Sequence, residues 1–238
     1  MSSLHYLEKS LSTNDEIESF LLYSSENCLG VYTFNQTQGR GQYGNVWKIS
    51  PNLNIAISIG IKVDTFTIND FLFNYYTANN IRDFLANLTE KEVKTKWPND
   101  IIVANKKIAG ILIEKKKIND SFYFIIGIGL NVLQTEFMDF SNAGSLLTQT
   151  SKHFDLHETA KKLYVFLTES LLKTPTEAEI IEAYNKHLFR KGQISVFEKD
   201  GKQQNGIIIK ADENGELWID LENEGLQKFY YKEIKLLY

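Results

Sequence analysis

Segment 36–47 places one arginine within a cluster of glycines. Its sequence is QTQGRGQYGNVW, with Arg40 between Gly39 and Gly41. Glycine lets the main chain come close to a ligand, and backbone N–H groups in such a loop can surround an anion. The guanidinium of arginine adds a planar charged donor that suits phosphate or carboxylate. The segment indicates either an anion-binding loop or a surface turn, because it contains neither a Walker motif nor a dinucleotide-binding fingerprint.

Residues 94–114 place charged side chains around a tryptophan–proline corner. The sequence is KTKWPNDIIVANKKIAGILIE, in which Lys96 and Asp100 flank the corner and Lys107 opens the second strand of a predicted hairpin. Proline favours an extended conformation for the residue before it. Gly110, inside a strand, indicates that another group approaches the backbone there. The alternative is an ordinary hairpin with surface lysines.

The apolar segment 122–132, FYFIIGIGLNV, is typical of a central strand that is covered on both faces. Side chains alternate across a strand, so Gly127, Gly129 and Asn131 share one face. Two bare positions and one amide would form a shallow floor on which a planar ring could lie, with Asn131 as its hydrogen-bond partner. Close packing of a helix against the two glycines explains the pattern equally well.

The polar segment SLSTNDE predicts the start of a helix. Thr13 and Glu16 have the spacing of a capping box, in which each side chain binds the other residue's backbone N–H. Ser12, Thr13 and Asn14 also bring small hydrogen-bonding groups to a helix N-terminus, where a polar ligand can bind.

The composition indicates a globular protein and argues against several classes of function. The chain has 238 residues, of which 43% are hydrophobic and 24% charged, and its formal net charge is -4. This charge disfavours a dedicated nucleic-acid-binding protein. Cys28 is the single cysteine, which excludes an internal disulfide and a multi-cysteine metal site. With no signal-peptide pattern and only short apolar runs, we expect a cytoplasmic protein that binds neither nucleic acid nor membrane.

Helices and strands alternate through the first part of the chain, and short strands follow. Apolar spacing predicts helices near 14–23, 67–87, 156–173 and 176–188, and strands near 29–35, 53–63, 93–96, 100–104, 107–115 and 121–132. After about residue 189, the strand signals QISVFE, GIIIKA, ELWIDL and LQKFYY are separated by KDGK, DENG and ENEG. Short strands joined by tight turns predict a small barrel that packs on the larger unit.

The motifs STN, GRG with a tryptophan six residues beyond, KWPNDI, KIAGIL and GIGLNV occur in the order found in biotin–protein ligases. The resemblance covers the whole chain, and no helix-turn-helix segment precedes STN, so we expect the ligase-only type. It implies an α+β fold: a mixed β-sheet flanked by helices, related to class II aminoacyl-tRNA synthetases, with a small C-terminal SH3-like β-barrel. The expected domains are a biotin- and ATP-binding catalytic domain over 1–188 and the SH3-like domain over 189–238.

The resemblance implies a reaction in two steps. Biotin reacts with ATP to give biotinyl-5'-AMP and pyrophosphate, and a lysine of the biotin carboxyl carrier protein then takes the biotinyl group and releases AMP. Mg²⁺ is expected on the phosphates, helped by Asn99 or Asp100, and a homodimer is a further expectation. Two alternatives stay open: a lipoate or octanoate ligase on the same fold, and a non-catalytic module that senses biotin or a nucleotide.

Site residues follow from the resemblance, position by position. Catalytic roles fall to Arg40, Lys96, Lys107 and Asp100, with Lys96 as the main stabiliser of the reacting phosphate and carboxylate. The biotin-binding set is Ser12, Thr13, Asn14, Gln36, Gly39, Arg40, Gly41, Lys96 and Gly110. The ATP and adenylate set is Arg40, Trp47, Asn99, Lys107, Gly129 and Asn131. For the acceptor lysine, either Asp100 or the adenylate phosphate takes or orients the proton.

One position departs from the family pattern. Relatives commonly carry a second basic residue two positions after the arginine, and this chain has Gln42 there. The missing charge predicts weaker retention of the adenylate, unless Lys48 or another cation replaces it.

Overall fold

The computed structural model describes residues 3–24, 26–63, 68–138, 140–173 and 175–238. The helices are α1 (Thr13–Leu22), α2 (Asp70–Thr89), α3 (Leu146–Thr150), α4 (Leu156–Leu171) and α5 (Glu177–Lys186). The strands of the first sheet are β1 (Ser3–Leu7), β2 (Cys28–Thr33), β3 (Asn54–Lys62), β4 (Val93–Lys96), β5 (Asp100–Val103), β6 (Lys106–Ile118) and β7 (Ser121–Asn131). Those of the second sheet are β8 (Ile194–Lys199), β9 (Lys202–Ala211), β10 (Leu217–Leu221), β11 (Gly225–Phe229) and β12 (Lys235–Leu237).

The first sheet is mixed and has seven strands in the order β1-β2-β3-β7-β6-β5-β4. β1 pairs with β2 in parallel, and the other neighbours are antiparallel. The order places β3 and β7, which carry the longest apolar runs, at the centre. This arrangement confirms the predicted mixed sheet.

Helices cover both faces of this sheet, which explains why the central strands are apolar throughout. On one face, Ile17 and Leu21 of α1 belong to a buried cluster with Val31 and Ile125. On the other face, α2, α4 and α5 build the main core; there the rings of Phe73 and Phe124 stack with centroids 4.0 Å apart.

The predicted helices and strands are confirmed, with small differences at their ends. The predicted start of the second helix at Thr67 lies outside the described residues, and the helix runs from Asp70. Two short elements, β1 and α3, were not predicted from the sequence. β1 is half-exposed and too short to show a clear alternation, while α3 has only five residues.

The predicted capping box at the first helix is wrong. Helix α1 begins at Thr13 with Ser12 as its N-cap residue, and the Ser12 side chain makes no capping hydrogen bond. The Thr13 hydroxyl instead lies 3.2 Å from Gln36 Oε1 and 2.8 Å from Ser58 Oγ. The side chain is therefore drawn into a tertiary polar network and does not cap its own helix.

The C-terminal strands form an antiparallel sheet in the order β11-β10-β9-β8-β12, which is consistent with the predicted SH3-like unit. It packs on the larger unit through polar as well as apolar contacts. Trp97 Nε1 donates to the carbonyl of Gly215 (3.2 Å), and the Asn185 side chain exchanges two hydrogen bonds with the backbone of Ala211, each 2.8 Å. The predicted boundary near 189 lies between the end of α5 and the start of β8, and the division into domains stays a prediction.

Across the described ranges, no helix combines the length and the apolar character needed to cross a membrane.

Candidate active site

Four segments that are distant in sequence meet in one cleft. They are the start of α1, the glycine-rich segment, the corner between β4 and β5, and the facing strands β6 and β7. The predicted site residues that line the cleft are Ser12, Thr13, Asn14, Gln36, Arg40, Gly41, Trp47, Asn99, Asp100, Lys107, Gly110 and Gly129. Antiparallel pairing of β6 with β7 sets Gly110 opposite Gly129, so the two bare positions adjoin each other.

The glycine-rich segment is a small hairpin, here called the glycine hairpin (residues 39–47). The Trp47 N–H donates to the Gly39 carbonyl (2.9 Å), Arg40 bridges to Val46, and the Gly41 N–H donates to the Asn45 carbonyl (2.7 Å). A Cβ atom on Gly39 would lie 2.3 Å from the Trp47 carbonyl oxygen. Glycine is required there because the two strands of the hairpin approach too closely for any side chain.

The indole of Trp47 lies on the glycine floor of the cleft. A Cβ atom on Gly129 would lie 2.0 Å from Trp47 Cε2, and one on Gly110 would lie 3.0 Å from Cζ3. A planar ring is predicted on this floor from the sequence, and in the structure that ring is the indole of the protein's own Trp47. Trp47 Nε1 is buried and has no hydrogen-bond partner in the described part of the chain. The Nε1 edge of the indole faces β7, where a Cβ atom on Gly129 would lie 2.2 Å from it.

A network of polar side chains that ends at the carboxylate of Glu114 forms one end of the cleft. The Thr13 N–H donates to Gln36 Oε1 (2.8 Å), and Ser58 Oγ donates to Asn14 Oδ1 (2.6 Å). Asn14 Nδ2 in turn donates to Glu114 Oε2 (2.6 Å). Ser58, Thr13 and Asn14 are almost fully buried, so their groups are fixed before any ligand binds. Fixed donors and acceptors suit a neutral ligand head that carries both N–H and C=O groups.

Two lysines share the carboxylate of Asp100 at the other end. Lys107 Nζ lies 2.6 Å from Asp100 Oδ1, and Lys96 Nζ lies 3.7 Å from Oδ2. Lys107 also lies above the Trp47 ring, 5.4 Å from its centroid. Burial lowers the pKa of Lys96, although the neighbouring Asp100 carboxylate partly offsets this. This end combines an excess of positive charge with restricted access to water, which favours anionic ligands.

Arg40 pairs with two carboxylates of the chain. Its guanidinium donates to both oxygens of Asp15 (2.5 and 2.8 Å) and lies 3.3 Å from Glu114 Oε2. The hydrogen bond from Arg40 lowers the pKa of Asp15. Because the Arg40 side chain is 42% exposed, this pairing is screened by water and can be exchanged for a phosphate or carboxylate ligand.

Three predicted site residues stand outside the cleft lining. Gly39 lies at the base of the glycine hairpin, where its carbonyl accepts the hydrogen bond from the Trp47 N–H. Lys96 extends towards the C-terminal sheet, with Nζ 5.3 Å from the centroid of the Tyr238 ring. Asn131 is buried, and its Nδ2 donates to the Gly144 carbonyl (3.0 Å), so its amide already has a partner within the protein. The roles predicted for these residues, and for the others, stay predictions.

Several polar residues of the site were not predicted from the sequence. Ser58 is the one polar side chain in the middle of the apolar run of β3, and that contrast is a signal that could have revealed it. Asn45 and Tyr231 line the cleft, and Glu114 lies beside it. Tyr231 comes from the turn before β12, far along the chain, and its sequence carries no such signal.

A family model described as the biotin/lipoate A/B protein ligase family matches residues 8–131. The chain belongs to this family. The matched range begins just before α1 and ends with β7, so it contains all four segments that form the cleft.

Individual ligases match this chain over different fractions of their own length. The biotin--[acetyl-CoA-carboxylase] ligase of Mycobacterium tuberculosis is 26% identical over 193 residues, which cover 79% of this chain and 71% of that protein. The bifunctional ligase/repressor BirA of Escherichia coli is 29% identical over 47% of this chain, but that match spans only 34% of its own length.

The fold is shared with solved structures of biotin protein ligases. That of Aquifex aeolicus, in complex with biotin and ATP, superposes with a TM-score of 0.80 at 24% identity and covers 99% of this chain and 98% of its own. That of Leishmania major, in complex with biotinyl-5-AMP, has a TM-score of 0.69 at 23% identity. These superpositions confirm the predicted fold of the family, including its C-terminal sheet.

Proposed function

We propose that this chain activates biotin with ATP and transfers it to a lysine of a biotin carboxyl carrier protein. The observation that carries the proposal is the division of one cleft into an end with fixed polar groups around Asn14 and an end with two lysines around Asp100. Asn14 packs against Gly127 and Trp47 against Gly129, two residues further along β7. The side chains of Asn14 and Trp47 are therefore about 7 Å apart along the strand, and Lys107 lies above the Trp47 ring. A ligand with a polar uncharged head and a distant carboxylate fits both ends.

The polar end favours biotin over lipoate. The ureido ring of biotin offers two N–H donors and one carbonyl acceptor, whereas the dithiolane ring of lipoate offers no comparable groups. A site built to hydrogen-bond a ligand rejects an analogue that would leave buried polar groups unpaired. The similarity to the Mycobacterium tuberculosis ligase over most of this chain supports the same substrate class.

The cationic residues suit the first chemical step. Oxygen of the biotin carboxylate attacks the α-phosphorus of ATP and pyrophosphate leaves, so two anions must approach each other. Lys107 at the floor, Arg40 on the glycine hairpin and Lys96 behind Asp100 reduce their repulsion and stabilise the charge that develops on phosphorus. Arg40 would exchange its carboxylate partners for the substrate.

The second step transfers the biotinyl group. The amine of the acceptor lysine attacks the acyl carbon of the adenylate, AMP leaves, and the amine loses its extra proton. Asp100 is held by Lys107 and Lys96, which suits a residue that orients the two lysines. We therefore assign Asp100 to orientation and the adenylate phosphate to proton acceptance.

Magnesium is expected with ATP, and the residues present fit an ion bound mainly through phosphate oxygens. Within the described ranges there is no group of three or more His, Cys, Asp or Glu side chains that could hold a metal. Asn99 Nδ2 donates to the Ile111 carbonyl (2.6 Å), which leaves its Oδ1 for a water or an ion. Mg²⁺ keeps several waters and uses few protein ligands beside substrate phosphates. When bound, it would neutralise phosphate charge.

The proposed function is tested by exchange of labelled pyrophosphate into ATP. We expect exchange that depends on biotin and not on lipoate, followed by transfer of biotin to a carrier domain. Exchange with lipoate alone would replace the proposal by its lipoate alternative. If neither acid supported exchange, the non-catalytic sensing module would be the remaining alternative. A direct biotin-binding measurement would then test it.

Ser58→Ala is expected to raise the KM for biotin about tenfold with a smaller change in kcat. Without the hydroxyl, Asn14 Oδ1 loses a buried donor, and an unpaired buried acceptor costs about 1–3 kcal/mol. Thr77→Ala is a matched control, because Thr77 is also fully buried but donates to the Phe73 carbonyl within α2. That control should lose stability and keep the KM for biotin. An unchanged biotin KM in Ser58→Ala would separate the polar network from biotin recognition.

Gln42→Arg is expected to slow the release of biotinyl-AMP about fivefold to tenfold, as a charge-assisted hydrogen bond to phosphate would. Gln42 lines the cleft, so an arginine there would restore the second basic position. Gln42→Met has a similar length without the charge and should release the adenylate no more slowly than the natural protein. Equal release from Gln42→Arg and the natural protein would show that another cation already replaces the charge. Lys232, which contacts the next residue, is a candidate.

A further inference from the structure

Tyr231 lies between the tip of the glycine hairpin and the tryptophan–proline corner. Its ring stacks on Tyr43, with centroids 4.8 Å apart and planes inclined by 29°, and its hydroxyl accepts a hydrogen bond from Asn45 Nδ2 (3.2 Å). On the other side, its ring centroid lies 6.1 Å from that of Trp97. Tyr231 also lines the candidate active site. One side chain of the C-terminal unit thus contacts two of the motifs that form the cleft.

Lys232 adds a second contact to the same tip. Its Nζ donates to the backbone carbonyl of Tyr43 (2.7 Å) and lies 5.9 Å from the centroid of the Tyr43 ring. Tyr43 and Lys232 both have positive φ angles, 54° and 76°. Such angles are uncommon for residues other than glycine and persist where the surroundings fix them. Their contact therefore joins two turns whose conformations depend on tertiary support.

The hairpin can transmit this contact to the site. Tyr43 is at its tip, and backbone hydrogen bonds connect the tip through Gly41 and Asn45 to the base at Gly39 and Trp47. Arg40 lies on the same ladder. Holding the tip consequently restricts both the guanidinium and the indole that enter the cleft.

We propose that Tyr231 and Lys232 are positioning residues that hold the glycine hairpin over the bound adenylate. The four residues Tyr43, Asn45, Tyr231 and Lys232 form the hairpin clasp. The effect on the adenylate rests on the proposed function, whereas the effect on the hairpin does not. If these contacts only packed two units together, their loss would lower stability without changing the hairpin or the ligand beneath it.

The first experiment measures release of preformed biotinyl-AMP from full-length variants. Tyr231→Ala should release it about fivefold to tenfold faster, because an aromatic stack and a hydrogen bond are both lost. Tyr231→Phe keeps the stack and should release biotinyl-AMP about twofold faster than the natural protein. Tyr230→Ala is the matched control: Tyr230 is the neighbouring tyrosine, 51% exposed, and should leave release unchanged. Equal release from Tyr231→Ala and Tyr230→Ala would overturn the proposal.

A double-mutant cycle distinguishes positioning from general packing. Tyr43→Ala should also accelerate adenylate release, and the double variant should release no faster than Tyr231→Ala alone, because Tyr231→Ala already removes the stack that Tyr43→Ala removes. Fully additive effects would show that the two tyrosines act separately and would contradict the clasp.

Trypsin cleavage after Arg40 tests the clasp without any ligation assay. In the empty protein under native conditions, Tyr231→Ala should be cut there several times faster than both the natural protein and Tyr230→Ala. Unchanged cleavage would overturn the proposal even in an active ligase. Faster cleavage in a protein that exchanges no pyrophosphate would uphold the clasp and reject the proposed function, so the two failures are distinguishable.

Discussion

Replacing Lys96 by alanine is expected to lower kcat for biotin-dependent pyrophosphate exchange about 10²–10³-fold, the effect of removing one preorganised charge stabiliser. Lys96 is half-buried beside the cleft, and its Nζ lies 3.7 Å from the Asp100 carboxylate that also holds Lys107. Its loss removes one positive charge and leaves Asp100 with a single partner. Because the stabilised charge develops during the reaction, the KM for ATP should change less than kcat.

Lys94→Ala is the matched control for this experiment. Lys94 lies two residues earlier on β4, is 29% exposed against 24% for Lys96, and pairs with Glu92. The Lys94→Ala substitution removes a side chain of the same type and an ion pair that does not involve Asp100. Pyrophosphate exchange should therefore stay near the natural rate. Near-normal exchange in Lys96→Ala, with the protein folded, would remove Lys96 from the mechanism.

The pH dependence supplies an independent check on Lys96. Burial lowers its pKa, so its positive charge is lost at a lower pH than that of an exposed lysine. Exchange should therefore decline as the pH rises through this lowered pKa. Arginine keeps its positive charge at high pH. The exchange activity of Lys96→Arg, even if lower, should therefore persist to a higher pH than that of the natural protein.

Local sequence patterns predicted most of the fold because its central elements are long and strongly periodic. The helix from Asp70 and the strands β3 and β7 are examples, and each is buried over most of its length. The parallel strand β1 escaped prediction because it pairs with β2 across α1, and only tertiary structure reveals such a partner.

The candidate site shows the same division between local and tertiary information. The chemical types of Arg40, Lys107 and Asp100 could be read from their motifs, but their partners could not. Arg40 binds Asp15 and Glu114, which lie 25 and 74 residues away. The polar network depends equally on Ser58, and the clasp on Tyr231, and neither residue lies in one of the motifs. Motifs therefore reveal which groups can react, while packing decides what holds them.

Gly129→Ala is expected to raise the KM for ATP at least tenfold and to lower the free energy of unfolding by about 1–3 kcal/mol, the usual cost of an added methyl group in a packed site. The new Cβ would lie 2.0 Å from Trp47 Cε2 and 2.2 Å from Nε1, far inside van der Waals contact. Since Gly129 belongs to the central strand β7, the backbone cannot yield, and the indole must leave the floor. Trp47 emission should then shift to longer wavelength as the ring enters water.

Gly30→Ala separates the effect on ligand binding from overpacking. Gly30 lies on β2, and its Cβ would be 2.6 Å from the Tyr164 ring, outside the cleft. This control should lose comparable stability and keep the KM for ATP. Gly129→Ala could bind ATP normally although its tryptophan emission had shifted. ATP binding would then not depend on the Trp47 ring on the glycine floor, and the adenine base would have to lie elsewhere in the cleft. If the KM for ATP and the tryptophan emission changed together, the Trp47 ring on the glycine floor and the nucleotide would share one surface. That result would explain why β7 carries a glycine at position 129.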